Sequence, residues 1–425
     1  MAVATGLLFG VVPALQLSGT HQHAALNGAS RGSGERRGPA WIRSALVGGE
    51  IALALVLLVG AGLLLRSFVT LLDADLGFRP DGVAAWRIET GGRYSDYQNR
   101  LAFYDRLVRD LESLPDVESV ALTDTLPLGR NRSWGVMAKG EVYREDQVPT
   151  AFPRLVDSAY LKTMGIPVVA GRDLSPFDTA EREPVMVVNR AMASGLWPGR
   201  NAVGQVVLLG RREHTVVGVA GNVRHSSLEE EAGFEMYMPI TQQRGWGSLE
   251  LVVRARASAE LLAPSVREAV HAIDPAVPAS DLRTLDQMVD RAMSPRRFIL
   301  LLIGAFALAA LLLASLGIYG VVSWSVSQRA PEIGIRMALG ATASSVRARV
   351  LVTTLWLAAA GIGAGLLGAL MLSKLLTSML YGVTPSDPLT FGAIVLLLLG
   401  LAVLSSYLPA RRASRVDPIS VLRSA

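Results

Sequence analysis

Four membrane-spanning helices, with a large α+β domain outside the bilayer inserted between the first and second, are the architecture this chain of 425 residues should adopt. Three observations point there. The composition is 51% hydrophobic with a mean hydropathy of +0.37, too apolar for a typical soluble protein and too polar for one lying wholly in lipid. Four apolar runs, Ala45–Leu65, Phe298–Val322, Val350–Leu372 and Leu389–Leu408, each reach the roughly 20 residues that a helix needs to cross the hydrocarbon layer. Between the first two runs lies a charged stretch, 71–297, large enough to fold on its own.

The amino end, 1–44, reads as an apolar segment (Ala2–Leu17) too short to span, then a Gly/Ser/Arg-rich linker. At an offset of 396 residues, Pro13, Ala14, Ser18 and Leu26 match Pro409, Ala410, Ser414 and Leu422, which suggests the remnant of a long internal repeat. Chance matching of a common helix-end pattern is the competing explanation. The first membrane helix, 45–66, lacks a cleavage-type end and reads as a retained anchor. It carries an acid, Glu50, close to its start. An acid in a membrane helix is a functional candidate by default, but at this depth reaching the interface, or pairing with Arg43 or an arginine of 329–349, is the favoured expectation.

The extramembrane stretch 71–297 opens with a strand at Gly82–Glu89, an amphipathic helix at Tyr97–Leu114 and a strand at Val117–Thr123. It closes with a strand at Ser248–Arg254, a helix at Ala259–Ile273 and a strand at Val277–Leu282. These are two β-α-β units, a split layer, with a second lobe inserted over Leu126–Trp246. Within the insertion, Pro184–Val188, Gln205–Leu209, Thr215–Ala220 and Glu235–Pro239 read as short strands, and Pro198-Gly199 as a corner. Trp86, Trp134, Tyr143 and Trp246 read as packing residues, and Glu229–Glu231 as a solvated turn.

After the second span, Gln328–Ala341 must lie at one membrane face. Pro331 suits a first helical position, Glu332 the positive end of a helix, and Gly340 a left-handed stop. Glu332 and Arg336 form an i,i+4 pair in the favourable order, and Ile333 with Met337 and Ile335 with Leu339 give apolar i,i+4 contacts. Periodicity alone fits an interfacial connector as well as a handle for a partner. In the third span Gly361, Gly363, Gly365 and Gly368 permit close helix packing, within the subunit or against a second copy. Arg31, Arg36, Arg37 and Arg43 precede span one, Arg329, Arg336, Arg347 and Arg349 lie between spans two and three, and Arg411, Arg412, Arg415 and Arg423 follow span four. The positive-inside rule puts all three segments in the cytoplasm.

Residues 71–297 hold 27 Lys+Arg against 31 Asp+Glu, and the remainder 14 against 5, so a net of −4 and a net of +9 make the total of +5. The basic pI near 9.7 therefore comes from membrane-flanking arginines and does not argue for nucleic acid as a partner. The absence of cysteine removes disulfide and thiolate chemistry. None of the five histidines pairs with another at metal spacing on a helix, although His21-Gln-His23 could chelate if it were ordered. Gly28-Ala29-Ser30-Arg31-Gly32 matches Gly-x-Ser-x-Gly, but it lies in the Gly/Ser/Arg-rich linker without the strand-turn-helix setting of a nucleophile elbow. No His-Glu-x-x-His or phosphate-cradling Gly-x-x-x-x-Gly-Lys-[Ser/Thr] occurs, so no catalytic residue, metal or resident cofactor is expected.

Glu332-Ile-Gly-Ile-Arg-Met-Ala-Leu-Gly-Ala341 closely resembles the signature of FtsX-like permeases, a family that includes MacB-type exporters. Tyr407–Arg423 resembles the family's carboxyl end, and Leu196–Gln205 followed by His214–Arg224 is similar to the MacB-like periplasmic core domain. The resemblance runs from Ala45 to the end and implies a domain plan: core domain 71–297, permease domain 298–425, coupling helix 331–341 and cytoplasmic tail 409–425. It implies that Glu332, Ile333, Gly334, Ile335, Arg336, Met337, Ala338, Leu339 and Gly340 dock on an ATPase subunit. It further implies an inner-membrane permease that pairs with a second permease copy and transmits motion outward. ATP and magnesium would then be held by the partner, the separate-permease layout, and a periplasmic adaptor and an outer-membrane channel are further partners this plan admits. A regulator of cell-wall enzymes, or an orphan membrane scaffold, are the other classes the same residues leave open.

Overall fold

The computed structural model describes residues 38–414 except 130, 226 and 257. The proposed repeat, His21, His23 and the residues of the tail from Arg415 onward lie outside them. Among the described residues, four helices are long and apolar enough to cross a membrane: α1 (Gly38–Leu72), α6 (Leu285–Gln328), α8 (Ala343–Ser373) and α9 (Pro388–Ala413). The protein is a multi-pass membrane protein with its α+β domain between α1 and α6.

All four helices outrun the apolar stretches that mark them, α6 by most. α6 has 44 residues, about 66 Å at ~1.5 Å per residue, roughly twice the hydrocarbon thickness. Its first turns, with Asp286, Asp290, Arg291, Arg296 and Arg297, carry no membrane signal. They are helical because the Thr284 side chain accepts the Gln287 N–H at 3.2 Å and starts the helix at the domain's last strand. α6 thus runs unbroken from that strand through the bilayer.

The extramembrane domain is one sheet of twelve strands in the order β12-β1-β11-β2-β5-β10-β7-β9-β8-β4, with β3 on β5 and β6 on β9. Its first half is the anticipated split unit. β1 (Val83–Glu89) and β2 (Val117–Thr123) flank β11 (Ser248–Ala255), and β12 (Ala279–Thr284) covers the outer side of β1, every pairing antiparallel. The crossover helices α2 (Tyr97–Glu112) and α5 (Ala263–Ile273) pack their apolar stripes, including Leu107, Leu111, Val266 and Val270, on one face. The Asp96 carboxylate caps α2 by accepting the Asn99 N–H. Where one helix is expected over Ala259–Ile273, the first turn, Ala259–Leu262, is a 3-10 helix ahead of α5. β12 lies two residues later than expected because Asp274–Val277 closes a turn first.

The inserted lobe is not a separate sheet. It joins the first half through a single antiparallel pair, Thr123 with Val156. Beyond that point β5 (Thr150–Val156) pairs on the same side only with β3 (Trp134–Gly135), at Ala151 and Thr150. Pro153 falls in the gap, where no strand on that side needs its N–H. β5 and β10 (Glu235–Pro239) are parallel, as are β7 (Val185–Asn189) and β9 (Arg212–Ala220), and β10 against β7 is antiparallel. β8 (Val206–Leu209) extends β9 and carries β4 (Met137–Ala138), while β6 (Val168–Gly171) rides on β9. Short helices α3 (Tyr160–Met164) and α4 (Arg190–Leu196) follow β5 and β7. The Pro198-Gly199 corner is real, with Gly199 at φ +71°.

Candidate coupling site and membrane bundle

α7 (Ala330–Ala338) sits between α6 and α8. Proline occupies its first turn, and Arg336 Nη2 donates to Glu332 Oε1 at 2.5 Å. Gly340, at φ +98°, ends it; the Gly340 N–H reaches Met337 O at 3.1 Å and the Ala341 N–H reaches Arg336 O at 3.0 Å. A left-handed residue there is close to free for glycine and costs about 1 kcal/mol or more for other residues. Thr342 Oγ1 then accepts the Ser345 N–H and starts α8.

Burial divides the helix into two faces. Gly334 is buried, and Ile333 and Met337 are half-buried. Glu332, Ile335, Arg336 and Leu339 are exposed, Ile335 at 49% and Leu339 at 82%. Positions i, i+3, i+4 and i+7 share one side of an α-helix. The outward side is therefore two aliphatic side chains beside an ion pair. The two apolar pairs expected from spacing do different things: Ile333/Met337 seats the helix, and Ile335/Leu339 is presented. Of the remaining positions assigned to docking, Gly340 is exposed, and Ala338 lies in the last turn, its side chain outside the described set.

Behind α7 the bundle is built around α1, whose Val47, Ile51, Ala54, Leu55, Val59 and Leu63 are buried against α6, α8 and α9. The glycine stripe of α8 faces α1. A Cβ on Gly361 would lie 2.8 Å from Gly48 O, one on Gly365 2.9 Å from Ala52 O, and one on Gly368 3.3 Å from Val56 Cγ2. Gly363 departs from the packing set: two residues from Gly361 it points to the other side, with nothing within 4 Å of its Cβ position.

Glu50 does not pair with Arg43 or the hairpin arginines. Its carboxylate lies against Gly317 of α6, where a Cβ would stand 2.3 Å from Oε2, and that oxygen is buried without a hydrogen-bond partner. Arg43 instead lies over the Trp324 ring, 4.5 Å from its centroid. Arg336 is taken by Glu332.

Outside the membrane lies a buried ionic centre that no sequence motif signals. Arg154 on β5 donates from Nε to Glu235 Oε1 on β10 at 2.8 Å and from Nη2 to Asn131 Oδ1 at 2.6 Å, both ends of the ion pair being 1% exposed. Tyr237 donates to Glu235 Oε2 at 2.9 Å, and His225 sets Nε2 beside Glu235, although neither ring nitrogen has hydrogen-bonding geometry. Burial alone would raise the Glu235 carboxyl, but the facing His225 and Arg154 more than reverse that and hold it below the usual range. Burial pushes the His225 imidazole down, only partly offset by Glu235. β5 and β10 are parallel with Arg154 opposite Tyr237, so the charges meet across one strand spacing.

A cleft of about 550 Å³ opens at the step where β2 ends and β5 continues, lined by Glu89, Asp124, Arg132, Trp134, Leu155 and Trp246 among others. Trp86 and Trp246 are packing residues as expected, but Trp134 is 38% exposed. The Glu229–Glu231 turn is not simply solvated, since Glu229 pairs with Arg296 of α6.

The chain is 26% identical over 269 residues to the macrolide export ATP-binding/permease protein MacB of Azoarcus sp., covering 61% of this chain and 40% of that protein. It is 29% identical over 276 residues to the probable syringafactin export ATP-binding/permease protein SyfD of Pseudomonas syringae pv. tomato, covering 63% and 41%. The chain thus spans less than half the length of either relative. Among solved structures it is similar to the periplasmic region of MacB from Actinobacillus actinomycetemcomitans, at 14% identity and a TM-score of 0.36, over 52% of this chain and 97% of that one. The FtsX-like permease C-terminal model matches residues 304–418, and the MacB-like periplasmic core domain model matches residues 45–272, more than half of the sequence. On those two matches, the core domain ahead of the permease domain in one chain, the protein belongs to the FtsX-like, MacB-type permease family.

Proposed function

We propose that this chain is the permease subunit of an ABC-type exporter of the inner membrane. An ATPase on a separate polypeptide docks on α7, and its stroke passes through α1 and α6 to the extramembrane domain, which lies in the periplasm. The observation that carries the reading is the outward side of α7. Ile335 and Leu339 are too exposed for a structural role at an aqueous face, and the Glu332–Arg336 pair beside them fixes orientation. An amphipathic helix offering i, i+3, i+4 and i+7 anchors is the form in which a helix enters a partner's groove. The arginines flanking α7 support its cytoplasmic placement. In this reading ATP and magnesium are bound by the ATPase, the chain itself carries out no chemistry, and two permease copies move together with whatever adaptor and outer-membrane channel serve them. The relatives' names, which speak of export of macrolides and of syringafactin, support export as the outcome.

The test is co-purification of tagged full-length protein in mild detergent, with and without a non-hydrolysable ATP analogue. A P-loop ATPase should come down with the native chain, and Ile335→Asp with Arg336→Glu should reduce its recovery at least tenfold. Equal recovery with the double variant, or no ATPase in either nucleotide state, sinks the assignment and favours a scaffold.

A further inference from the structure

The short turn between α8 and α9 does more than reverse the chain. Tyr381 in this turn meets three parts of the molecule. Its N–H donates to Ser67 Oγ of α1 at 2.7 Å, and Ser67 is fully buried. Its hydroxyl accepts from Arg224 Nη2 at 2.6 Å, and its ring lies 5.1 Å from the Arg224 guanidinium carbon. Two residues earlier, Met379 O accepts from Arg296 Nη1 of α6 at 3.3 Å, and Arg296 also pairs with Glu229. Gly382, at φ +66°, follows; a Cβ on it would meet Thr70 of α1 at 2.8 Å.

Arg224 is the centre of this arrangement. Its other guanidinium nitrogens donate to Leu228 O at 2.7 Å, Glu230 O at 3.2 Å and Asp75 O at 3.1 Å, and its own N–H reaches Leu76 O at 3.1 Å. One side chain therefore ties the loop 222–233 to the exit of α1 and to the α8–α9 turn. The loop cannot shift freely against that exit, because a Cβ on Gly77 would stand 1.8 Å from Asn222 O. Beneath the polar links, Leu71, Leu228 and Met293 are buried together, with Phe68 and Tyr381 packed on them. On the other side of Arg224, His225 is buried against Glu235 in the ionic centre of the inserted lobe. A guanidinium with its donors spread over four acceptors in fixed directions is a rigid joint, which a lysine could not reproduce.

We propose that Arg224 and Tyr381 form a clasp that fixes the extramembrane domain to the α8–α9 pair, so that all four membrane helices move the domain as one body. Besides the clasp, α1 and α6 are connected to the domain through the chain itself, and Arg296 adds a second, peripheral link between Glu229 and Met379 O. Arg224 is in this sense a positioning residue. The purpose assigned to it rests on the mechanical reading above, but its existence does not.

The experiment uses the full chain in lipid nanodiscs without nucleotide. The native chain has no cysteine, so Val142→Cys in the domain and Ser344→Cys at the start of α8, both exposed, take spin labels cleanly for pulsed distance measurement. The clasp predicts a narrow distance distribution in the parent and at least twofold broadening with Arg224→Ala or Tyr381→Ala. Tyr381→Phe, which keeps the ring and loses the hydroxyl, should broaden it less. An unchanged width in both alanine variants overturns the proposal. Should either alanine variant lose amide protection in β7, the milder Tyr381→Phe and Ser67→Ala decide, and an unchanged width in both counts against the clasp. No ATPase takes part, so failure here leaves the docking assignment untouched, and failure to capture an ATPase leaves the clasp untouched.

Discussion

At the level of single residues, two positions in the bundle show what a membrane seam demands. The close approach of α8 to α1 is possible because Gly361 and Gly365 present no side chain to the Gly48 and Ala52 carbonyls. Within lipid, where apolar burial gives helices no reason to associate, such contact is a principal source of stability. Gly365→Val should therefore lower the detergent melting temperature, at a cost of about 1–3 kcal/mol as for overpacked cores, while Gly363→Ala should leave it within error. Equal effects would mean that Gly363 also faces a neighbour. The spacing of four glycines signalled the seam but not which of them face it, because Gly-x-Gly-x-Gly places successive members on different sides of a helix. Glu50 was legible as an unusual residue and misleading as to its partner. The expected arginine is engaged with Trp324, and the carboxylate rests in the space left by Gly317.

Whole elements were easier to read than their inner and outer faces. α7 follows from its proline, its i,i+4 ion pair and its left-handed glycine, all local signals. Whether Ile333 or Ile335 faces the bundle depends on how α6 and α8 approach it, which no short window encodes. The same limit explains β5. Pro153 argues against a strand, and the strand forms because the neighbouring partner stops at Val156. α6 was underestimated for the opposite reason, since hydropathy reports only its lipid-buried part and is silent on the charged turns before it. The two faces of α7 yield an expectation. Ile333→Asp puts a charge into a half-buried contact and should lower both the amount of folded protein and its melting temperature. Ile335→Asp should leave both unchanged while weakening ATPase capture. A loss of folding with Ile335→Asp would move that residue from a docking role to a structural one.

For the whole molecule the proposed mechanical role asks how a domain of this kind would stay rigid enough to carry force. Its two halves share one sheet whose strands are joined at one pair, Thr123 with Val156, beside the 550 Å³ cleft. Two apolar clusters run across that joint, one with Trp86, Leu122 and Leu155, the other with Ala121, Val156 and Tyr160. Within the inserted lobe the buried set Arg154, Glu235, His225 and Tyr237 adds polar links between β5, β10 and the loop 222–233. Ion pairs so deep are weak net contributors but severe liabilities when one member changes charge. The sign of the pH dependence follows. Folding lowers the His225 pKa, so its contribution is complete above the ordinary histidine value of about 6.5 and is lost as pH falls toward the folded value. Folding also lowers Glu235, whose contribution is complete above about 4.3 and is lost only in stronger acid. Between pH 7 and 5 the histidine should lower amide protection in β10 and in 222–233, against the opposite trend of Asp157 just after β5, whose carboxyl is pushed up to about 8 by burial, while β1 and β11 keep theirs. His225→Gln removes the titrating group and should flatten that slope, leaving the loss at lower pH in place. If the variant keeps the full slope, the acid sensitivity arises elsewhere, and the ionic centre is a passive filler of the lobe and not what stiffens the path from the membrane to the outer strands.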